Sequence, residues 1–494
     1  MSGIAWLVLA VAVPAADLQI AHVTIVSPER TSEMHDALVR VHDGRIVEIS
    51  KANRAPARSS ANAIDGSGLF LSPGLIDSHV HLGGVAGMSS AQVEEHPDLA
   101  AAARAQIPHS YLLHGFTTLV DLVSTPTSMA TWKSRGDSVP DAYYCGGAAL
   151  MDGYPMNFDP RPQRYRDFPY MLIEPGMKAP EGIDPAMHTP QAVVARMKRD
   201  GAICVKAFFE NDFEGVPVPK VETIRQLVRA AHAGGLPVLL HANSDEAQTF
   251  GLDAGVDIIA HGMWRWDHQD PNTVDLTPRI RQILDRVLAG NVGWQPTLQV
   301  VYGARDEFDP SFLSDPQLRR VLPSSLIDWY RSPSGVRFHE DIRKELEKEI
   351  KLPASADPAK LRRAIDERMN LFIGRAKQSA AYLIAHHGRI LFGTDTSSAP
   401  IYANPPGLNA ELEMHRLLEA GESPTQIFKS ATLVNAQVLK LDRDIGTVQV
   451  GKRANLLLLR RDPMQTIDAY AGIVKVILNG RVLDPSELVA NPAH

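Results

Sequence analysis

The chain has 494 residues, with 50 lysines and arginines against 57 aspartates and glutamates, and its formal net charge is −7. This length exceeds that of one ordinary domain, so one compact core is not expected to account for the whole chain. The acidic balance offers no basic stripe for nucleic acid, so we expect no nucleic-acid partner.

The N-terminal segment indicates the cellular compartment of the protein. Residues 4–13 form an unbroken apolar run, and Pro14-Ala15-Ala16 follows it. This pattern fits the apolar core and small-residue cleavage site of a secretory signal peptide. The run is too short to span a bilayer, so no membrane association is expected. We predict a signal peptide over residues 1–16 and a periplasmic or secreted protein. The alternative is a cytoplasmic protein with a buried N-terminal strand.

Strand-like patterns occupy both ends of the chain. Apolar and polar residues alternate over 18–26 and 37–49, with Asp43-Gly44 as a predicted turn between strands. Strand-like sequence occurs again near residues 456–459 and 474–478. Neither end could close a core alone, so we expect the two ends to form one discontinuous unit.

The first chemical motif is an apolar run from Pro73 that ends in His79-Val80-His81. Side chains two positions apart on a strand share a face, so both imidazoles are expected to point the same way. One ion could bind both rings, at about 2.0–2.1 Å if it is zinc. Two histidines alone do not hold a catalytic metal, so further ligands are expected at the ends of later strands.

Later apolar runs also end on polar residues suited to a metal site. The four run-closing residues are Lys206, His241, His261 and Asp395. Segments with helical spacing, such as 221–233 and 245–254, lie between the runs. Strands that alternate with helices predict βα units and a parallel sheet. If such units close into a barrel, the strand ends converge on one mouth, where this fold places its chemistry.

Cys145 and Cys204 are the only cysteines of the chain. They are too few for a disulfide framework and lack the spacing of a thiolate metal site. We predict that both are buried small apolar residues.

The ordered set of strand-end residues resembles the amidohydrolase superfamily, metal-dependent hydrolases on a (β/α)8 barrel. Its imidazolonepropionase-like and Xaa-Pro dipeptidase-like branches are the nearest in pattern. The resemblance extends over nearly the whole chain after residue 16. It includes the runs 114–121, 296–298, 445–455 and 476–481.

The resemblance implies an α/β fold, a (β/α)8 TIM barrel with a small discontinuous β-sandwich built from the N- and C-terminal segments. The expected domains are the signal peptide (1–16), the first part of the β-sandwich (17–73), the barrel (74–445), the second part of the β-sandwich (446–488) and a tail (489–494).

The resemblance also implies a binuclear metal centre with two divalent ions, expected to be zinc. His79, His81 and Asp395 would hold the first ion, and His241 and His261 the second. A protonated lysine would repel cations. In the binuclear branches, the lysine that matches Lys206 reacts with carbon dioxide to form a carbamate that bridges both ions.

Lys206 and Asp395 are the predicted catalytic residues. Between two ions about 3.5–4 Å apart, a bridging water loses its proton near neutral pH and becomes the nucleophile. By resemblance, Asp395 accepts a proton from this water and passes it to the leaving amine.

Substrate contacts are expected from the loops that follow the strands. The candidates are Tyr154, Phe208, Trp264, Arg265 and Trp266. Aromatic walls with one cation suit an amide that has an apolar part and a carboxylate. The alternative is that both tryptophans only cover the rim and Arg265 faces solvent.

Tyr154 has a particular reason to be a candidate. Many dipeptidase-like relatives carry Gly-Gly-His after the third strand, whereas this chain has Gly146-Gly147-Ala148. Tyr154, in the long aromatic-rich segment 141–176, is the candidate hydrogen-bond donor in place of that histidine.

These features predict a metal-dependent hydrolase that cleaves amide or dipeptide-like carbon–nitrogen bonds of small molecules with a metal-bridging hydroxide. Three alternatives stay open. The first is a mononuclear cyclic-amide hydrolase or deaminase, and the second is a lactone, ester or phosphotriester hydrolase on the same centre. The third is a non-catalytic assembly protein on the same fold. The family is usually multimeric, so a homo-oligomer is expected.

Overall fold

The structure, a computed structural model, describes residues 17–52, 62–267, 272–309, 311–336, 357–397 and 401–491. The predicted signal peptide, and residues 492–494 of the predicted tail, lie outside the described residues. Within the described ranges, no helix combines the length and the apolar character needed to cross a membrane.

The described residues form strands and helices in the following order. The strands are β1 (Leu18–Ile25), β2 (Met34–His42), β3 (Arg45–Lys51), β4 (Ala63–Asp65), β5 (Phe70–Pro73), β6 (Leu75–Val80), β7 (Phe116–Asp121), β8 (Asp141–Ala148), β9 (Cys204–Phe208), β10 (Val238–His241), β11 (Ile258–Ala260), β12 (Gly293–Gln295), β13 (Leu456–Leu459), β14 (Ile473–Leu478) and β15 (Arg481–Leu483). The helices are α1 (Ser90–Glu95), α2 (Pro97–Leu113), α3 (Pro126–Lys133), α4 (Gln163–Asp167), α5 (Pro190–Arg199), α6 (Val221–Gly234), α7 (Asp245–Ala254), α8 (Pro278–Ala289), α9 (Leu298–Asp306), α10 (Leu318–Val321), α11 (Ser324–Tyr330), α12 (Pro358–Ala385), α13 (Leu408–Glu419), α14 (Pro424–Lys429) and α15 (Asn435–Val438). Short 3-10 turns lie at Met156–Phe158, Pro185–His188, Phe312–Ser314, Ile467–Gly472 and Pro485–Glu487, and a π turn lies at Ser430–Val434.

One sheet combines strands from both ends of the chain. Its order is β15-β14-β13-β5-β1-β2-β3, with β4 beside β1. The link between the two ends is the antiparallel pairing of β13 with β5, in which Leu457 lies opposite Ser72. The predicted turn between β2 and β3 is present, and Asp43 and Gly44 have φ angles of 47° and 72°. Positive φ at both central residues is what a two-residue type I′ hairpin requires.

Strand β13 connects two hydrophobic cores because its side chains alternate. Leu456 and Leu458 pack in the core of the terminal sheet, whereas Leu457 and Leu459 pack in the main core. Segments from both chain ends therefore share one sheet. The separate β-sandwich and the domain boundaries stay predictions.

The second sheet is parallel and curled, in the order β12-β11-β10-β9-β8-β7-β6. The segment 389–396 is hydrogen-bonded to both of its edges. On one edge, the Trp294 amide donates to the Arg389 carbonyl at 2.9 Å. On the other edge, the Asp395 amide donates to the His79 carbonyl at 2.7 Å. The predicted α/β fold is confirmed, and its parallel strands form a curled sheet. Closure into a full (β/α)8 barrel stays a prediction.

The helices that cover this sheet follow the expected amphipathic pattern. Helix α6 buries Ile224, Leu227, Val228 and Ala231, which occupy positions i, i+3, i+4 and i+7 and so lie on one face. The helix ends where Gly235 adopts a left-handed conformation with φ of 79°, as helix C-termini commonly do. Because such helices connect successive parallel strands, the carboxyl ends of all these strands lie at the same edge of the sheet.

The prediction for the two cysteines was incomplete. Both are fully buried, as expected, but they form a disulfide between neighbouring strands β8 and β9. Cys145 and Cys204 are register partners, with Cα atoms 4.4 Å apart. Their separation of 59 residues gives no information on strand register, so the sequence did not indicate the pairing. A link over such a loop stabilises a fold by about 4 kcal/mol in the chain-entropy model.

The disulfide lies close to the predicted metal centre, because Cys204 precedes Lys206 by two residues on β9. Cys204 and Lys206 are two residues apart on β9, so their side chains share a face. Two register pairs further toward the strand end, Gly147 is the partner of Lys206. The disulfide therefore ties β9, the strand that carries Lys206, to its neighbour β8.

Candidate metal centre

The first predicted ligand group forms where β6 meets the segment 389–396. The hydrogen bond from the Asp395 amide to the His79 carbonyl, and another from the His81 amide to the Thr396 carbonyl at 2.6 Å, fix their relative register. As a result, Asp395 Oδ1 lies 3.0 Å from Nε2 of His79 and 3.0 Å from Nε2 of His81. The ligand atoms of these three residues all lie within 4.8 Å of one another, which is a spacing that one ion could bridge.

The second predicted ligand pair lies beside the first. His241 closes β10, and His261 follows β11 directly. Their ring centroids are 4.5 Å apart, and the His261 ring is 5.0 Å from the His79 ring. The four imidazoles therefore form one continuous group at the ends of the parallel strands.

Each histidine of the second pair has one ring nitrogen held by a neighbouring side chain. His261 Nδ1 lies 3.0 Å from Thr297 Oγ1, and His241 Nε2 lies 3.3 Å from Glu210 Oε2. Such contacts fix the orientation and tautomer of an imidazole and leave its other nitrogen for a metal.

Lys206 is buried among these ligands, with 1% of its surface exposed. Its Nζ has no hydrogen-bond partner among the described residues. Burial lowers the pKa of Lys206 to about 7, although the Asp395 carboxylate acts in the opposite direction. In turn, the positive charge of Lys206 lowers the pKa of each of the four imidazoles.

The protonation states favour metal binding. Burial lowers the pKa of His79 to about 3, and it also lowers the pKa values of His241 and His261. Burial alone would raise the pKa of Asp395, but the neighbouring His79 and His81 rings hold it well below its usual range. His81 is the exception, because its hydrogen bond to Asp395 raises its pKa against the effect of burial. Neutral imidazoles and an ionised carboxylate are the forms that bind metal.

The backbone is strained at this group. His261, Thr297 and Asp395 have φ angles of 85°, 42° and 56°. Non-glycine residues seldom adopt such angles, and residues that do cluster at functional sites. The strain therefore marks the same strand ends that the motifs indicate.

Several supporting residues were missed by the sequence analysis. Asp77 accepts hydrogen bonds from the Thr394 amide at 3.1 Å and the Thr394 hydroxyl at 2.7 Å, and it joins the two strand ends that carry the first ligand group. Asp121, at the end of β7, accepts from the Leu82 and Val123 amides. Asp121 follows the same strand-end pattern as the proposed ligands, so that pattern could have identified it, whereas Asp77 is the third residue of β6. Glu210 and Thr297 lie in loops and gave no such signal.

Three predicted substrate residues lie beside the histidines. The Tyr154 ring is 4.6 Å from the His241 ring, and the Phe208 ring is 6.3 Å from it. The Trp264 ring is 5.6 Å from the His261 ring. These side chains form an aromatic wall along the second ligand pair.

The other two predicted substrate residues have different surroundings. Arg265 makes ion pairs with Glu210, Asp212 and Asp267. Trp266 is buried in the main core, where its indole donates to the Met263 carbonyl at 3.0 Å and the Arg375 guanidinium lies over its ring. The structure therefore does not bring Trp266 together with the other aromatic residues of the wall.

Comparison with known proteins gives matches in sequence and fold. Residues 338–483 match the model of the amidohydrolase family. An imidazolonepropionase of Idiomarina loihiensis is 47% identical over 49 residues, which are 10% of this chain and 12% of that protein. This match spans about an eighth of the relative's length.

Solved structures resemble nearly the whole chain. A Xaa-Pro dipeptidase with bound methionine in its active site has a TM-score of 0.62 and 19% identity, over 95% of this chain and 100% of that one. Molinate hydrolase has a TM-score of 0.66 and 16% identity, over 98% and 97% of the two chains. At such identities the likeness establishes the fold. The match to the amidohydrolase family model over residues 338–483 and the likeness to these folds agree with the resemblance in the strand-end residues.

Proposed function

We propose that the protein is a metal-dependent hydrolase of amide or dipeptide-like carbon–nitrogen bonds in small molecules. The proposed ligands of two divalent ions are His79, His81, Lys206, His241, His261 and Asp395. The observation that carries the proposal is the grouping of four imidazoles and one carboxylate at the carboxyl ends of parallel strands, together with a buried lysine amine that interacts electrostatically with all five.

Lys206 provides the test of whether these residues fit a binuclear centre. A buried amine without a hydrogen-bond partner is unfavourable for folding, so its retention calls for an explanation. Reaction of the neutral amine with carbon dioxide would give a carbamate and release one proton. The carbamate would carry two oxygen atoms and one negative charge into a site lined by imidazoles. The position of Lys206 among all four rings suits this modification.

Imidazole and carboxylate ligands suit zinc, and we therefore propose zinc as the metal. Two ions bound there would supply an activated water near neutral pH and would polarise the scissile carbonyl. Asp395 is ionised and close to two of the proposed ligands, so it can accept a proton and transfer it to the leaving nitrogen. The names of the two solved relatives, a dipeptidase and a hydrolase, agree with this reaction class.

The aromatic wall supports a substrate with an apolar part next to the scissile bond. Tyr154, Phe208 and Trp264 would line it, with Tyr154 the best placed to donate a hydrogen bond. Burial raises the pKa of Tyr154 above its usual value, so its hydroxyl stays protonated. A protonated phenol beside His241 could stabilise negative charge that develops on the carbonyl oxygen.

Tyr154→Phe is expected to lower kcat/KM by about 10²-fold, the loss typical of removing one donor to a developing oxyanion. Metal content should stay that of the wild type. The matched control is Tyr165→Phe, because the Tyr165 hydroxyl lies in the same segment and donates to Asp152 at 2.9 Å. Steady-state kinetics on both variants would check this, and unchanged turnover in Tyr154→Phe would dismiss the donor role.

The reaction class can be tested by a substrate screen with the zinc-loaded protein. N-acyl amino acids, Xaa-Pro dipeptides and aryl esters would be compared by kcat/KM. We expect at least one amide or dipeptide to be the best substrate. Turnover of esters, lactones or phosphotriesters with no amide hydrolysis would overturn the proposed specificity for carbon–nitrogen bonds.

We also propose that the protein is exported to the periplasm or secreted. The apolar run over residues 4–13 supports this, and so does the disulfide, because disulfides persist mainly in oxidising compartments. N-terminal sequencing of the native protein should find a start near residue 17. A native protein that retains Met1 to Ala15 would contradict export.

A further inference from the structure

We infer that Glu210 is a positioning residue for the second metal ion, and that Arg265 acts through Glu210 and not on a substrate carboxylate. The inference rests on the proposed function, since it takes His241 as a metal ligand. It assigns a role to a carboxylate that the sequence motifs did not identify, and it changes the role expected for Arg265.

The geometry places Glu210 between His241 and Arg265. Glu210 lies just beyond β9 and is 5% exposed. Its Oε2 is 3.3 Å from His241 Nε2 and accepts a hydrogen bond from Asn243 Nδ2 at 2.7 Å. Its Oε1 accepts from Arg265 Nη1 at 2.7 Å. Both carboxylate oxygens are therefore held by groups from two different loops.

This arrangement selects one tautomer of His241. Both Glu210 oxygens already accept hydrogen bonds, from Asn243 Nδ2 and Arg265 Nη1, so the carboxylate is also the acceptor toward His241 Nε2. Nε2 of a neutral His241 must therefore carry the hydrogen, which leaves the lone pair on Nδ1 to bind a metal. A carboxylate in this position also fixes the ring orientation and raises the basicity of the imidazole.

The surroundings of Arg265 argue against a role in binding a substrate carboxylate. Besides Glu210, its guanidinium pairs with Asp267 at 3.1 Å and with Asp212. Three carboxylates around one guanidinium leave this cluster with a net negative charge. A substrate carboxylate would meet repulsion there, whereas the buried Glu210 gains a fixed partner.

Glu210→Gln keeps the size of the side chain but removes its charge. The affinity for the second zinc ion is expected to fall about 10- to 100-fold, the usual effect of losing a carboxylate that supports a metal-binding histidine. The first ion should bind as in the wild type, because His79, His81 and Asp395 do not contact Glu210. Zinc titration of the full chain against a competing chelator would measure both affinities, and the visible absorption of the cobalt-substituted protein would report the changed second site.

Two further variants separate positioning from general damage. Asp267→Asn removes a partner of Arg265 that does not contact His241, and it should keep both zinc affinities. Arg265→Met should weaken the second site in the same direction as Glu210→Gln, while KM for a substrate with a carboxylate stays unchanged. Thermal unfolding followed by circular dichroism would confirm that the compared variants are folded.

The outcomes distinguish this inference from the proposed function. If Glu210→Gln and Arg265→Met both bind the second zinc ion as tightly as the wild type, the positioning role is wrong and the binuclear centre survives. A large increase in KM for carboxylate substrates in Arg265→Met, with metal affinity unchanged, would also overturn the inference. If the wild-type protein itself binds fewer than two ions, the proposed centre fails.

Discussion

Lys206→Ala is expected to lose bound metal and to reduce kcat/KM by well over about 100-fold. Removal of a side chain that only supports a metal ligand costs about 10- to 100-fold, and Lys206 is proposed to bridge both ions directly. Its amine is buried and has no hydrogen-bond partner among the described residues, so the substitution removes no structural hydrogen bond. Metal analysis of the purified variant and steady-state kinetics would measure the two losses.

Rescue by small acids makes this prediction specific to the carbamate. Short carboxylic acids such as acetate or propionate could occupy the space left by the Lys206 side chain and partly restore metal content and turnover. Lys220→Ala is the matched control, because its side chain is 70% exposed and pairs with Glu174 at 3.6 Å. If Lys206→Ala retained the metal and activity of the wild type, Lys206 could not be a bridging ligand.

Asp395→Asn is expected to reduce kcat by about 10²- to 10⁴-fold, the range typical of a general acid–base group. The asparagine amide keeps the shape of the side chain but cannot accept and transfer a proton. The wild-type carboxylate is ionised because its pKa lies well below the usual range. The substitution therefore also weakens the first ion site, so kinetics should be measured at saturating zinc.

Saturating zinc separates the two roles of Asp395. If both ions bind to Asp395→Asn and kcat is still low, the loss reflects proton transfer. Asp444→Asn is a suitable control, because Asp444 lies in a turn and pairs with Arg45 of β3 at 2.9 Å. An Asp395→Asn enzyme with two ions and wild-type kcat would refute the acid–base role.

The grouping of the proposed metal ligands was predictable because their positions follow a simple geometric rule. Each of His79, His241 and Asp395 lies at the end of an apolar run, and parallel strands converge at their carboxyl ends. The rule needs no knowledge of strand register or loop conformation. The Asp43-Gly44 turn was also predictable, but from residue type: Asp and Gly permit the positive φ angles that the hairpin needs.

The features that the sequence did not predict depend on register and on loops. The disulfide exists because Cys145 and Cys204 are partners across two parallel strands, and no local pattern fixes that alignment. The position of Trp266 in the core depends on how the loop after His261 turns. The neighbours of Arg265 come from two separate loops, so its ion pairs could not be anticipated from spacing.

The most direct test of the account is the metal content of the zinc-loaded wild-type protein, counted per chain by inductively coupled plasma mass spectrometry after removal of loosely bound ions. Four imidazoles, one carboxylate and a modified Lys206 predict two zinc ions per chain. A count of one ion would favour a mononuclear enzyme, and a count of none would contradict a metal-dependent hydrolase altogether.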